Sequence, residues 1–351
     1  MKALVLSGGT GTRLRPFTHS TPKQLVPVAG KAVLEHVLDN IVAAGVTDIG
    51  IIVGDQAERI GQAIGDGSRF GARITYLRQD QPLGLAHCVT VARDFLGDDD
   101  FLMYLGDNIL PEGIGGIVRG FAAERPDARI VVQKVADPSA FGVAEIDAHG
   151  VVGALVEKPV RPRSDLALIG LYFFTPVIHE AVAAIEPSAR GELEITDAIQ
   201  WLVTRGRTVT AVEYTGYWQD TGNVDAVLDC NRRLLDRLTA SRAGEIDADS
   251  TVTGPVVVEA GAKVVRSRIE GPAVIGAGTL VEDSRIGRYT AIGRDCAVRD
   301  TRIGASIVQD GTTLTGLHGL SDSLIGRSAS VRAGSHHRLI VGDDSEVEIA
   351  R

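Results

Sequence analysis

The residues near the amino terminus are of the types that bind phosphate groups. A short apolar run at residues 2–7 leads into a loop with three glycines, and two cations follow, Arg13 and Lys23. Glycines let backbone N–H groups converge on phosphate oxygens because they carry no Cβ atom. Arginine adds a flat bidentate donor and lysine a compact charge. This combination predicts a nucleoside triphosphate site. Its predicted residues are Gly8, Gly9, Thr10, Gly11, Thr12, Arg13, Lys23 and Gln24.

Two commoner phosphate-binding loops are excluded by the residues themselves. A P-loop requires Gly-Lys-Ser or Gly-Lys-Thr after its glycines, and no such tripeptide follows here. The dinucleotide fingerprint would begin at Gly9, but Leu14 occupies the position of its last glycine. A glycine-rich turn without a ligand remains as the alternative. The two cations and the prolines that stiffen the loop favour the phosphate site.

Composition and charge exclude several classes of function. The 351 residues are 44% hydrophobic and 23% charged, which is typical of a globular protein, and the net charge of −9 argues against nucleic-acid and acidic-membrane partners. Three widely separated cysteines, in no metal-binding spacing, are typical of a reducing compartment. The first strand begins at residue 2, and no apolar run is long enough to cross a bilayer. We therefore expect a cytoplasmic protein.

Strand and helix patterns alternate along the first 220 residues. Apolar runs such as 49–53 and 101–105 predict buried strands, and the spacing at 33–42 predicts a helix that stops at Gly45. This alternation predicts a Rossmann-like layered α/β domain with a mostly parallel sheet, in which ligands bind at the carboxyl ends of strands. The glycine loop and Asp107 each follow a predicted strand, so both are expected at that edge.

The periodicity changes after a predicted linking helix at residues 224–238. From Ile246 to Val331, apolar residues recur every five or six positions, and three such steps usually add to seventeen. Neither a helix nor a half-buried strand has this period, which predicts a parallel β-helix with three-sided coils and inward apolar residues. We predict a catalytic domain at 1–240 and a β-helix domain at 241–351, whose tail ends in a hairpin.

Further motifs follow in order along the first 225 residues. They are Leu-Gly-Asp-Asn at 105–108, Phe-Gly-Val at 141–143, Glu-Lys-Pro at 157–159, Gly-Leu-Tyr at 170–172, Arg-Gly-Glu-Leu-Glu-Ile-Thr-Asp at 190–197 and Trp-Gln-Asp-Thr-Gly at 218–222. With the glycine loop and Pro-Lys-Gln-Leu at 22–25, they resemble the sugar-1-phosphate nucleotidylyltransferase family. The motif at 190–197 is most similar to the corresponding motif of the glucose-1-phosphate thymidylyltransferases. The whole chain resembles the longer kind of these enzymes, which has a C-terminal hexapeptide-repeat domain. Resemblance to hexapeptide-repeat proteins implies a left-handed β-helix.

The resemblance implies that glucose 1-phosphate displaces pyrophosphate from dTTP, giving dTDP-glucose for deoxysugar synthesis. Such a displacement places negative charge on both the attacking and the leaving oxygens. Proteins stabilise this charge with a divalent metal and fixed cations. Mg²⁺ takes one or two carboxylates, and the resemblance assigns it to Asp107 and Asp220. The resemblance also assigns three catalytic cations, Arg13, Lys23 and Lys158. Arg13 and Lys23 are expected at the nucleotide phosphates. Lys158 is expected to hold the phosphate of the sugar.

The resemblance also implies sites for the base and the sugar. Gln79, Pro82 and Gly84 are expected at the base, because a carboxamide can pair with a pyrimidine edge. The residues expected around the sugar and its phosphate are Leu105, Gly142, Glu157, Lys158, Leu168, Tyr172 and Arg190. His87 is interpreted as a residue on a helix face rather than a catalytic base. Phe141 lacks the hydroxyl that relatives often carry there, which leaves the preference for glucose open.

Several alternatives remain open from the sequence. UTP could replace dTTP, because a hydrophobic pocket discriminates one methyl group by only about 1–3 kcal/mol. A non-catalytic protein that binds sugar nucleotides is opposed by the intact set of cations and carboxylates. Acyl transfer in the β-helix would require a histidine, and His318, His336 and His337 are present. Stacked coils more often stabilise and oligomerise, so we expect a homo-oligomer.

Overall fold

A computed structural model of the protein describes residues 1–9, 11–19 and 21–334 of the chain. The predicted features that lie outside these described residues are Thr10, His336, His337 and the hairpin at 339–344. The three cysteines, Cys88, Cys230 and Cys296, are free and buried. Across the described ranges, none of the helices is both long enough and apolar enough to span a membrane.

The chain forms two compact units, and its amino-terminal segment is divided between them. One unit consists of Met1–Thr10 and Leu34–Asp220, and the other of Gly11–Val33 and Thr221–Arg351. The second unit therefore combines most of the predicted phosphate-binding loop with the carboxyl-terminal repeats. Compact units need not coincide with independently folding domains, so the boundary proposed near residue 240 stays a prediction.

Strands and helices alternate along the first 235 residues, as the apolar pattern predicts. The strands are β1 (Lys2–Leu6), β2 (Pro27–Val28), β3 (Lys31–Ala32), β4 (Asp48–Val53), β5 (Arg73–Arg78), β6 (Phe101–Leu105), β7 (Asn108–Ile109), β8 (Ala128–Lys134), β9 (Gly142–Ile146), β10 (Val152–Glu157), β11 (Leu166–Phe174), β12 (Val209–Glu213) and β13 (Gln219–Asp220). The helices are α1 (Val33–Ala43), α2 (Ala57–Ile64), α3 (Leu85–Val91), α4 (Arg93–Leu96), α5 (Gly115–Glu124), α6 (Ile178–Ala184), α7 (Ile195–Thr204) and α8 (Val224–Leu235). Short 3-10 helices occupy Thr12–Leu14, Phe17–His19, Lys23–Leu25 and Ser68–Phe70.

Nine of the strands form one mixed sheet in the first unit. Its main path runs β10-β9-β11-β6-β1-β4-β5, with β8 beside β11 and β12 beside β8. β1 is parallel to β4 and β6, and β4 is parallel to β5, whereas β11 is antiparallel to β6, β8 and β9. This arrangement confirms the predicted layered α/β domain, in which β6-β1-β4-β5 is a continuous parallel part of the sheet and β12 is parallel to β8.

The centre of this sheet is apolar along its whole length. Leu4 of β1 and Phe101 of β6 are among its fully buried side chains. Parallel strands covered on both faces require apolar residues in succession rather than in alternation, which explains the continuous runs in the sequence. Helix α1 buries residues at helical spacing and ends before Gly45, as predicted.

Beyond α8 the chain builds three parallel sheets, and each complete coil contributes one strand to each sheet. The strands are β14 (Ser241–Arg242), β15 (Glu245–Ile246), β16 (Thr251–Thr253), β17 (Val256–Val258), β18 (Lys263–Val265), β19 (Arg268–Glu270), β20 (Ala273–Ile275), β21 (Leu280–Glu282), β22 (Arg285–Ile286), β23 (Thr290–Ile292), β24 (Ala297–Arg299), β25 (Arg302–Gly304), β26 (Ile307–Val308), β27 (Thr313–Thr315), β28 (His318–Ser321), β29 (Leu324–Ile325) and β30 (Ser330–Arg332). Each strand pairs with the third strand after it, as in β17-β20-β23. These sheets confirm the predicted β-helix and are consistent with the left-handed form.

The core of the β-helix consists of the apolar residues that recur in the sequence. Val258, Ile275 and Ile292 stack in register on successive coils and are buried. Val331 differs from the prediction, because it is 37% exposed and not buried. It lies in the last coil of the described residues, where no further described coil stacks on it.

A buried amide joins three segments within the second unit. The Ala29 N–H, in the turn between β2 and β3, donates to Asn231 Oδ1 on α8 over 2.9 Å. Asn231 Nδ2 donates to the Tyr289 carbonyl oxygen of the β-helix, also over 2.9 Å. Asn231 is fully buried. A small apolar cluster of the same unit is formed by Leu235, Val274 and Ala291, with Ala29 and Tyr289 packed against it.

Replacing Asn231 with Leu is expected to lower the free energy of unfolding by about 2–4 kcal/mol. Leucine has a similar size but leaves the Ala29 N–H and the Tyr289 carbonyl oxygen without their amide partner, and each buried unsatisfied group costs about 1–3 kcal/mol. Urea unfolding followed by circular dichroism measures the change. Asp236→Asn, at an exposed position just after α8, is the matched control. A change below about 0.5 kcal/mol for Asn231→Leu would contradict the structural role of this amide.

Candidate active site

Two loops leave the sheet side by side at the carboxyl ends of β1 and β6. Gly8 and Gly9 follow β1, and the Gly106 N–H donates to the Leu6 carbonyl oxygen over 2.9 Å. Asp107 comes directly after this contact and is buried. Since β1 and β6 are adjacent and parallel, their loops emerge at the same edge, which is where the sequence predicted a ligand.

The structure brings Asp107 and Asp220 to neighbouring positions. Strand β13 pairs with β7 in antiparallel register, with Asp220 opposite Asn108. Asn108 Nδ2 donates to Asp107 Oδ1 over 3.3 Å, and Trp218 Nε1 donates to Asn108 Oδ1 over 2.7 Å. Asn108 therefore helps to position the Asp107 carboxylate, and Trp218 in turn holds Asn108. They had no predicted role, although each is close in sequence to one of the aspartates.

The donor set around Asp107 and Asp220 suits a small hard cation. Both side chains offer carboxylate oxygens, and Mg²⁺ takes one or two carboxylates while water and phosphate oxygens fill its other positions. Among the described residues, no group of three or more His, Cys, Asp or Glu side chains forms a possible metal site. Asp107 and Asp220 as a pair of metal ligands stay a prediction.

Gln79 lies at the end of β5, where the base was predicted to bind. Its N–H donates to the Val53 carbonyl oxygen over 2.9 Å, and the residue is 9% exposed. Its Nε2 lies 3.0 Å from His87 Nδ1 and 3.4 Å from the Gly84 carbonyl oxygen. Pro82 lies exposed in the loop between them. The structure thus groups the predicted base-binding residues and adds His87, which lies on a helix as expected.

Gly84 is the residue that lets this loop approach its neighbour. Its φ is +105°, and a Cβ atom there would lie 2.4 Å from the Leu193 carbonyl oxygen. The Leu193 N–H donates to the Leu83 carbonyl oxygen over 2.8 Å, so two segments are tied at this point. A side chain at residue 84 would push the loop away from Leu193.

Burial raises the pKa of the Cys88 thiol, next to this loop, to about 12, so the thiol stays protonated at neutral pH.

The predicted sugar-binding residues gather around Glu157. In the register between β9 and β10, Glu157 pairs with Gly142, and Thr196 Oγ1 donates to Glu157 Oε2 over 3.1 Å. A Cβ atom at residue 142 would lie 2.7 Å from Thr196 Cγ2 and 3.5 Å from Leu168 Cδ2. Gly142 therefore leaves open the space beside the carboxylate. Thr196 belongs to a motif in the sequence but had no predicted role.

Tyr172 and Leu105 lie on the central strands of the same sheet. Tyr172, on β11, is buried. Burial, together with the charge of Glu157, raises the pKa of the Tyr172 phenol above its usual range, so it remains a neutral group. Leu105 ends β6, and a Cβ atom at Gly170 would lie 2.6 Å from Leu105 Cδ1. The two residues are thus placed on β6 and β11, which are hydrogen-bonded neighbours.

Two cations flank the Glu157 carboxylate. Lys158 Nζ lies 3.7 Å and Arg190 Nη1 3.6 Å from Glu157 Oε1. Arg190 also contacts Glu192 Oε2 at 2.7 Å and Glu194 Oε1 at 3.3 Å. Lys158 and Arg190 remain partly exposed. An anionic group entering here would meet an ammonium and a guanidinium together, which is suitable for a phosphate.

The remaining predicted phosphate-binding residues belong to the second unit. Thr18 Oγ1 donates to the Gly11 carbonyl oxygen over 2.7 Å, and a Cβ atom at residue 11 would lie 3.0 Å from Lys23 Cβ. Thr12 and Arg13 lie exposed in one 3-10 helix, and Gln24 lies buried in another. The stem of Lys23 therefore packs against the same short loop that carries Arg13. Their contact with a nucleotide stays a prediction.

His318, considered for acyl transfer, lies exposed on β28. Its Nε2 is 3.8 Å from Asp300 Oδ1. It lines an open groove of about 460 Å³ on the β-helix. Most of the side chains lining the groove are charged or hydroxylated, among them Arg266, Arg268, Arg285 and Arg302. Acyl transfer in the β-helix stays an open alternative.

Comparison with known proteins places these observations in a family context. The nucleotidyl transferase family matches residues 2–237. The chain is 52% identical, over all of both chains, to a glucose-1-phosphate thymidylyltransferase of Streptomyces griseus. It is 53% identical, over 99% of each chain, to one of Streptomyces antibioticus. A solved structure of a candidate glucose-1-phosphate thymidylyltransferase from Bacillus anthracis, in complex with a sucrose, superposes with a TM-score of 0.63 at 35% identity, covering 69% of this chain and 98% of that chain.

Proposed function

The chain belongs to the nucleotidyl transferase family, and from that premise we propose that it is a glucose-1-phosphate thymidylyltransferase. Its substrates are then dTTP and glucose 1-phosphate, and its products dTDP-glucose and pyrophosphate. The similarity to two thymidylyltransferases supports this reaction, because the match extends over almost the whole of each chain. The dTDP-glucose formed serves the synthesis of deoxysugars.

The reaction is an in-line displacement at phosphorus. A phosphate oxygen of glucose 1-phosphate attacks the α-phosphorus of dTTP, and the new O–P bond forms as the bond to the β-phosphate oxygen breaks. The electron pair of the broken bond leaves with pyrophosphate. Because the attacking phosphate is already ionised at neutral pH, no side chain has to remove a proton. The protein positions the two anions and stabilises the developing charge.

The observation that carries this proposal is the placement of Asp220 opposite Asn108, beside Asp107. These carboxylates belong to the same unit as Gln79 and Glu157, which supports one site for nucleotide and sugar. Asp107 and Asp220 would hold Mg²⁺, which would neutralise charge on the phosphate oxygens. Asn108 keeps the Asp107 carboxylate in place through its hydrogen bond, and Trp218 holds Asn108.

The protein's own residues divide the binding of the two substrates. Lys158 and Arg190 bind the phosphate of the sugar, and Glu157 accepts hydrogen bonds from sugar hydroxyls. Gln79 contacts the base, next to Gly84. Arg13 and Lys23 retain the role that their sequence motif indicates, at the phosphates of the nucleotide. The cytoplasmic location and the homo-oligomeric state expected from the sequence also stay predictions.

The first test compares pyrophosphate release from dTTP, UTP, CTP, GTP and ATP with glucose 1-phosphate and Mg²⁺. We expect dTTP to react fastest. UTP lacks the methyl group and carries a ribose 2′-hydroxyl, and the methyl group alone, worth about 1–3 kcal/mol in a hydrophobic pocket, makes UTP slower by about 10- to 200-fold. Equal kcat/KM for dTTP and UTP would instead favour the alternative, a relaxed pyrimidine enzyme. Galactose 1-phosphate in parallel measures strictness for glucose. Absence of release with both dTTP and UTP would refute the proposed reaction.

A further inference from the structure

The carboxamide of Gln79 is held in one orientation by its surroundings. Its Nε2 lies 3.0 Å from His87 Nδ1 and 3.4 Å from the Gly84 carbonyl oxygen. A primary amide nitrogen has two hydrogens, and these two acceptors account for both. The backbone of Gln79 is tied to Val53 at the end of β5. The side chain is therefore constrained at both ends.

This arrangement also sets the hydrogen-bonding role of His87. Because Nε2 of the amide can only donate, Nδ1 of the imidazole accepts in this contact. The position of Gly84 is itself determined by close contact with Leu193. One acceptor of the amide nitrogen is thus a backbone oxygen of this loop, and the other is the imidazole of His87 on α3.

The oxygen of the Gln79 amide is directed to the phosphate-loop side of the site. A Cβ atom at Gly8 would lie 3.3 Å from Gln79 Oε1, so the oxygen faces the backbone that follows β1. Since both N–H groups are engaged by His87 and Gly84, the oxygen is the group that the amide can offer to a ligand. An acceptor in that position selects a donor on the base.

We propose that His87 is a specificity-determining positioning residue, which fixes Gln79 so that Oε1 accepts the N3–H of an imide base. Thymine and uracil carry this N–H, whereas cytosine has an acceptor nitrogen at the same position. With His87 in place, cytosine would bring two acceptors together and lose the hydrogen bond. The inference rests on the proposed function, since it takes Gln79 as the residue that contacts the base.

The consequence is a separation of two kinds of selectivity. His87 governs discrimination between imide bases and cytosine, because it controls which end of the amide faces the ligand. It does not govern discrimination between thymine and uracil, because both present the same N3–H. Without His87, the amide can rotate and present its N–H groups to cytosine. A purely structural role for His87 would change stability and leave both ratios unaltered.

The test measures equilibrium binding of dTTP, dUTP and dCTP to the full-length protein by titration calorimetry with Mg²⁺. His87→Phe keeps a planar ring but removes the acceptor, and we expect it to reduce the dTTP-to-dCTP affinity ratio by about 10- to 100-fold. The dTTP-to-dUTP ratio is expected to remain within about twofold. His87→Asn places a carbonyl oxygen near the position of Nδ1, and it should restore most of the dTTP-to-dCTP discrimination.

Two outcomes would overturn the proposal. One is an unchanged dTTP-to-dCTP ratio in folded His87→Phe, and the other is an equal loss of discrimination in His87→Asn. Thermal unfolding of each variant establishes that it is folded. Because binding is measured without glucose 1-phosphate, the result is independent of turnover. Wild-type protein that binds dTTP but releases no pyrophosphate would refute the proposed reaction while the ratios still decide the role of His87.

Discussion

Asp107→Asn is expected to lower kcat for pyrophosphate release by about 100- to 1,000-fold, the usual effect of removing one charge-stabilising group from an active site. Asparagine keeps the size of the side chain and a carbonyl oxygen that can still accept from Asn108. It removes the negative charge with which the Asp107–Asp220 pair would bind a divalent cation. Steady-state rates over a range of Mg²⁺ concentrations measure the effect, and the apparent affinity for Mg²⁺ is expected to fall in parallel.

The matched control for this prediction is Asp94→Asn. Asp94 is exposed on α4 and belongs to none of the proposed sites. We expect it to retain wild-type turnover and Mg²⁺ affinity. If Asp107→Asn turns over at the wild-type rate at saturating Mg²⁺, Asp107 is not a metal ligand. Circular dichroism shows whether a loss of activity reflects loss of structure, and Asp220→Asn provides an independent second variant of the pair.

Lys158→Ala is expected to lower kcat/KM by about 100-fold, mainly by raising KM for glucose 1-phosphate. A hydrogen bond to a charged group contributes about 1.5–3 kcal/mol, and here it positions the attacking phosphate. Stability should hardly change, because Lys158 is 46% exposed and lies 3.7 Å from its carboxylate neighbour, and exposed ion pairs contribute little. Initial rates at varied glucose 1-phosphate and fixed dTTP separate KM from kcat.

Lys134→Ala provides a lysine control in the same sheet. Lys134 Nζ also lies 3.7 Å from a carboxylate, that of Glu213, and its side chain is exposed. The two variants therefore remove similar ion pairs, but only Lys158 lies near both Glu157 and Arg190. An equal KM for Lys158→Ala and wild type would place the phosphate of the sugar elsewhere. A change confined to the KM for dTTP would also contradict the assignment.

The β-helix could be predicted in detail because its signal is local. Successive coils stack directly on one another, so Val258, Ile275 and Ile292 repeat every seventeen residues in the sequence as they do in the core. The energetic reason is that each coil buries its apolar residues against its neighbours, which forces the same spacing on every coil. Val331 did not follow the pattern, because no described coil covers it.

The position of the site at the sheet edge was also predictable, but its supporting residues were not. Gly8 and Asp107 each follow a buried strand, and chain direction alone places both at carboxyl ends. Thr196, Asn108 and Trp218 were overlooked because their roles depend on which side chains they contact. Their positions inside the recognised motifs were the only available signal.

The sequence by itself determined the two kinds of architecture, the edge of the sheet where the candidate site residues lie and the residue types that could do the chemistry. Those features depend on apolar periodicity and on the order of strands, which are properties of neighbouring residues. Only the tertiary structure decided that Trp218 bonds to Asn108, 110 residues away, and that Asn231 bonds to Ala29, 202 residues away. Pairings between such distant polar groups depend on strand register and side-chain packing, because a hydrogen bond requires both partners within about 3 Å. No local spacing in the chain encodes that distance.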